Sequence, residues 1–172
     1  MAVGILGLTM ALGFSGCQSE NQKNQDAYRK IGINSMAEGD YDKAVKSFQK
    51  ALDTSLGKIG AEEIDICYYK AAAQFAKKDY DGAIETYTSL IDYDKENANA
   101  YYLRGSVYLD TDKKDKAFKD YKNAVKYAGR EYEIYEGIYE NLTNKGETEE
   151  AKNYLKKALD IKPKDGADYA EQ

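Results

Sequence analysis

The sequence contains no histidine and no tryptophan, a single proline and two cysteines. Without histidine, Ser-His-Asp triads, Cys-His pairs, His-ligated zinc and helical Glu-x-x-His metal sites are excluded together. One proline and 14 glycines in 172 residues exclude collagen-like and loop-dominated chains. Basic residues fall short as well: 25 Lys and Arg face 30 Asp and Glu, a net charge of −5. That balance argues against a nucleic-acid backbone as the main ligand. Tyrosine, by contrast, is abundant. Seventeen Tyr and four Phe supply large side chains that can bury, which excludes disorder along most of the chain. The length suits one domain or one array of small repeats. The inventory leans towards binding and away from catalysis, with no cofactor, metal or small-molecule substrate expected.

The first 17 residues carry no charged side chain. Residues 2–14 form an apolar run of signal-peptide length, too short to span a bilayer comfortably. Ser15-Gly16-Cys17 follows, and this pattern resembles the lipobox of bacterial lipoproteins. The resemblance implies a signal peptide over 1–16, cleavage before Cys17 and a diacylglyceryl anchor on Cys17. Phe14 stands where leucine is usual, and the basic n-region is missing. An ordinary secretory signal or an uncleaved anchor is the alternative. Residues 17–24 are polar and without apolar periodicity, which reads as a solvated tether. With Cys17 lipidated, Cys67 has no partner within the chain, and its apolar helical surroundings read as core.

The rest is written in repeats. Residues 39–52, 78–91, 112–125 and 146–159 align without gaps, each on one small residue: Ala44, Ala83, Ala117 and Ala151. The intervals are 39, 34 and 34 residues. Four residues after each alanine comes Phe48, Tyr87, Tyr121 or Leu155, and three further on Ala51, Leu90, Ala124 or Ala158. That spacing is one face of a helix. A second helical pattern lies upstream of each. Between them sit Gly39-Asp40, Lys78-Asp79, Asp112-Lys113 and Gly146-Glu147, where a C-terminal glycine or a capping acid is expected.

A 34-residue helix-turn-helix with these positions resembles the tetratricopeptide repeat (TPR). Unit three carries the likeness best, as Tyr101-x-x-Arg104-Gly105-x-x-Tyr108 followed by Ala117-x-x-x-Tyr121. The resemblance implies an all-α, right-handed superhelical solenoid of about four repeats over 25–165, at about 25–58, 64–97, 98–131 and 132–165. Residues 166–172 read as the start of a further repeat or a capping helix. The five extra residues of the first interval fall in residues 53–63.

In this family the first helix of each repeat lines a concave groove. Groove-facing side chains are then expected to be Arg29, Ile33, Met36, Tyr68, Ala72, Phe75, Asn99, Tyr102, Ser106 and Leu109, followed by an acidic ridge of Glu133, Glu136 and Glu140. Exposed apolar and aromatic strips mark interaction surfaces. The expected function is a non-enzymatic, lipid-anchored scaffold in the bacterial cell envelope, outside the cytoplasmic membrane. It binds a peptide or protein partner in its groove. The alternative is a structural lipoprotein that assembles end to end in an envelope complex.

Overall fold

A computed structural model describes residues 19–161. The signal-peptide segment, Cys17 and residues 166–172 lie outside them. Among the described residues there are eight helices and no strand. They run α1 (Glu20–Ala37), α2 (Tyr41–Thr54), α3 (Ala61–Ala76), α4 (Tyr80–Tyr93), α5 (Ala98–Asp110), α6 (Lys114–Tyr127), α7 (Tyr132–Asn144) and α8 (Thr148–Ile161). Each odd helix packs against the even helix that follows, and successive hairpins stack through α2–α3, α4–α5 and α6–α7. None of these helices is long and apolar enough to cross a membrane.

The four hairpin turns share one geometry. Gly39, Lys78, Asp112 and Gly146 each adopt a left-handed backbone, with φ of 77°, 67°, 57° and 79°. The next residue's N–H then reaches back five residues: Asp40 to Ser35 O and Asp79 to Gln74 O at 2.8 Å, Lys113 to Tyr108 O at 2.8 Å, and Glu147 to Leu142 O at 2.9 Å. These bonds satisfy carbonyls that a helix end would leave open. In the first two turns the following aspartate also caps the second helix, with Asp40 Oδ1 accepting from Lys43 N and Asp79 Oδ1 from Gly82 N.

The repeated alanines are all core residues. Ala44, Ala83 and Ala117 are fully buried and Ala151 nearly so. In units one and three the first helix needs a small residue where it meets the aromatic ring four residues after the alanine. A Cβ on Gly32 would lie 2.5 Å from Phe48 Cε1, and one on Gly105 would lie 2.8 Å from the Tyr121 ring.

One expectation about element boundaries resolves differently, and the other, the placement of the five extra residues within 53–63, agrees with the structure. The segment read as a polar tether is helical from Glu20 onwards, although residues 20–24 are all exposed. Ser19 Oγ caps this helix by accepting from Gln22 N at 3.2 Å, and nothing in Glu-Asn-Gln-Lys-Asn breaks a helix once its first turn is capped. The extra length between units one and two is split. The linker 55–60 has two residues more than its counterparts 94–97 and 128–131, and α3 has 16 residues where α5 and α7 have 13.

Candidate peptide-binding groove

The odd helices α1, α3, α5 and α7 carry the expected groove residues. Adjacent first helices touch directly in two places, α1 with α3 and α5 with α7.

In unit one, Arg29 is half-buried and ion-paired with Asp65 of α3. Its Nε donates to Asp65 Oδ2 at 3.0 Å, and its guanidinium lies 5.4 Å from the centre of the Tyr69 ring. The carboxylate bond holds its pKa above the usual arginine range, so the cation ties two helices together. Ile33 and Met36 are half-buried against the Phe48 cluster.

In unit two, Tyr68 is half-buried, and its hydroxyl donates to Asn97 Oδ1 at 2.7 Å. The same oxygen accepts from Ala100 N at 3.0 Å and so caps α5. Tyr68 also lies against Tyr87, with ring centres 6.3 Å apart. Phe75 is half-buried and meets Tyr80 edge-on at 5.6 Å. Burial pushes the Tyr68 hydroxyl up from its ordinary value, so the ring is a neutral donor near neutral pH.

In unit three, Asn99 is exposed and Tyr102 half-buried. The Tyr102 ring reaches across to α7 and lies over Gly137, where a Cβ would collide with its hydroxyl. Behind it stands fully buried Tyr121, 6.4 Å away between ring centres. Asn141 of α7 donates to Ser106 Oγ at 2.8 Å, joining the same two helices by a polar contact. Burial is the largest cause raising the pKa values of Tyr102 and Tyr121, the latter to about 12.

Leu109 is a correction. At 2% exposed it belongs to the core cluster with Ile138 and Leu142. The direct α5–α7 contact closes over it, whereas Met36 and Phe75, at the same position of their units, stay half-buried.

In unit four, Glu133 and Glu140 are exposed and Glu136 half-buried. Helix α7 has no Lys or Arg, and none of the three makes an ion pair among the described residues. Unpaired carboxylates at i, i+3 and i+7 leave one helix face negative.

Two features of this region were not foreseen from the sequence. One is Asn141, described above. The other is Arg104, which stands where the repeat usually has leucine. Its Nε and Nη2 donate to the two oxygens of Asp120 at 2.7 and 2.9 Å, and Nη1 donates to Thr88 Oγ1 at 2.9 Å. The Tyr101 and Tyr108 rings flank the guanidinium at 5.7 and 5.9 Å. Arg104 is 15% and Asp120 5% exposed, so the pair locks α5 to α6 within unit three, and the bond to Thr88 ties unit three to α4 of unit two. A charge at an apolar repeat position, with an aspartate 16 residues on, was the available signal.

No group of three or more His, Cys, Asp or Glu is placed to hold a metal among the described residues. Asp92 pairs with Lys95 at 2.7 Å, and Asp94 Oδ1 accepts from Glu96 N, which is ordinary turn bonding. Cys67 is a free, half-buried thiol whose pKa burial pushes up, so it stays protonated and a poor nucleophile.

Family models described as TPR repeat and tetratricopeptide repeat match residues 71–112, residues 29–87, and residues 98–130 and 140–165. The chain carries tetratricopeptide repeats. The TPR array also resembles solved structures. A crystal structure of MamA aligns at TM-score 0.62 and 26% identity, covering 80% of this chain and 78% of that one. TTC0263, a thermophilic TPR protein of Thermus thermophilus, aligns at TM-score 0.63 and 19% identity, with 80% and 74% covered. YrrB, described as a TPR protein with an unusual peptide-binding site, aligns at TM-score 0.59 and 18% identity, with 82% and 70% covered. The last two likenesses speak to the fold alone. No curated protein matches the sequence.

Proposed function

We propose that this TPR chain is a scaffold that holds an extended peptide or protein segment along its first helices, and that Cys17 tethers it by lipid outside the cytoplasmic membrane of a bacterial envelope. One observation carries the binding reading. Tyr68 and Tyr102 are half-exposed rings whose positions are already fixed, the first by its bond to Asn97 and the second by its seat over Gly137. Aromatic anchors that are rigid before binding lose little freedom on binding. The unpaired Glu133, Glu136 and Glu140 next to them add an attraction for basic segments of the partner. The peptide-binding site named for YrrB agrees with this class of partner.

The test is selection of binding peptides from a random phage-displayed library on the wild-type array, followed by anisotropy titration of those peptides. Tyr68→Ala and the pair Glu136→Lys/Glu140→Lys should each weaken them by about tenfold. Selected peptides that bind both variants as tightly as wild type would remove the groove from consideration. For the anchor, an alkynyl fatty acid fed to a bacterial host should label the wild type and not Cys17→Ser. Equal labelling would refute lipidation.

Ile31 on α1 and Leu159 on α8 are 42% and 61% exposed, at opposite ends of the array. They favour a second reading, end-to-end assembly. Sedimentation velocity over a range of concentrations separates the two, since assembly without ligand requires the second.

A further inference from the structure

On the even-helix side of units three and four, away from the groove just described, α6 and α8 part to leave a trough of about 640 Å³. Its floor is apolar, made by Phe118 and Val125 of α6 and Tyr154 of α8, all half-buried. Its rim carries the exposed lysines Lys122, Lys156 and Lys157. We propose that this trough is a docking site for an acidic amphipathic helix of a partner protein. The assignment is independent of the groove on the odd helices.

Shape comes first. Phe118, Lys122 and Val125 follow each other at i, i+4 and i+7 along one wall. The α8 wall runs from Glu150 to Asp160, eleven residues spanning about 15 Å of helix. A trough between two helices, three turns long and apolar at its base, takes the apolar stripe of a third helix. A flat bilayer surface would reach the lysines without filling the floor.

Charge decides which helix. The chain as a whole is at −5, yet α6 and α8 together hold eight lysines against five acidic residues, and one of those acids, Asp120, is taken by Arg104. Neighbouring lysines are already used: Lys114 pairs with Glu147 and Lys152 with Glu149. Lys122, Lys156 and Lys157 make no ion pair among the described residues. Long aliphatic stems let them lie along an apolar ligand while their ammonium groups meet its flanking carboxylates. Glu150 and Asp160 stand at the two ends of the α8 wall, so the acidic positions of the incoming helix belong to its middle turns.

The probe is a fluorescein-labelled peptide of about 16 residues, with leucines on one helical face flanked by glutamates in its central turns. It is titrated against the full chain. Saturable binding is expected, weakening with added salt and by about tenfold or more in Lys122→Glu/Lys156→Glu/Lys157→Glu. Those residues are exposed, and unchanged helix content by circular dichroism certifies the variant. A peptide with serine for each leucine keeps the charge and should lose saturable binding, which tests the floor without altering the protein. The proposal is overturned by absence of saturation, by equal binding to the charge-reversed variant, or by loss of binding in Tyr68→Ala. It is also overturned if the lysines are needed to sediment the protein with phosphatidylglycerol vesicles while the peptide goes unbound.

Discussion

Arg104 and Asp120 offer the sharpest energetic test of how the two helices of unit three are joined. Both are largely buried, with two direct bonds between them and a third from Arg104 to Thr88. Removing one partner of such a pair leaves a charge with neither water nor counterion, at a cost of about 3–5 kcal/mol. Arg104 is the more exposed of the two and can reach solvent along its stem, so Asp120→Ala belongs near 3 kcal/mol. Arg104→Leu, which restores the residue the repeat usually has, strands a carboxylate at 5% exposure and should cost at least as much. The double variant Arg104→Leu/Asp120→Ala leaves no charge behind and should lose only about 1 kcal/mol, the residue of packing and the Thr88 bond. The coupling energy of the cycle is then about 5 kcal/mol or more. Urea unfolding followed by circular dichroism measures it, provided the slope with denaturant stays constant across the four proteins, since arrays can lose two-state behaviour. Two single losses that simply add in the double variant would refute the reasoning.

Three further outcomes are expected. The Ser35 hydroxyl is buried and, among the described residues, makes no hydrogen bond, so Ser35→Ala should leave stability unchanged or raise it by up to about 1 kcal/mol, read from the thermal midpoint; a clear loss would show that the hydroxyl has a partner. Gly137→Ala should cost about 1–3 kcal/mol by driving a methyl into the Tyr102 hydroxyl, and denaturation at unchanged midpoint would mean that α5 and α7 do not pack as described. The Tyr121 pKa is raised from 10.0 to about 12. The unfolded chain therefore releases this proton first, and the stability that burial of the neutral phenol supplies is complete below pH 10 and falls as pH rises through 12, by about 2 kcal/mol at that point. Tyr121→Phe should flatten that part of the alkaline unfolding profile, and an unaltered profile would contradict it.

The architecture was legible because it is repeated. Four aligned alanines fixed the hairpin period, and the residues at the turns, two of them glycine, fell on the left-handed position of each hairpin turn. Surface assignment was less legible. Leu109 occupies a groove position by spacing, yet the closeness of α7 buries it, and no pattern within α5 reports how near the next helix comes. The start of α1 was missed because its first turn and a half buries nothing, leaving no apolar period to read; the cue was Ser19 followed by good helix formers. Arg104 and Asp120 explain each other only once α5 and α6 are folded together, as do Asn141 and Ser106 once α7 lies beside α5.

The helices pack almost entirely against near neighbours in the chain. Little chain entropy is spent on closing long loops, so folding should be fast and able to begin in any hairpin. The same economy means that no distant segment clamps the ends. Amide hydrogens of α1 and α8 should exchange by fraying without global opening, whereas those of α5 and α6, locked by the Arg104–Asp120 pair and flanked on both sides, should exchange last. Under mechanical tension the array would then give way hairpin by hairpin from its termini, and the middle units would be the last to yield.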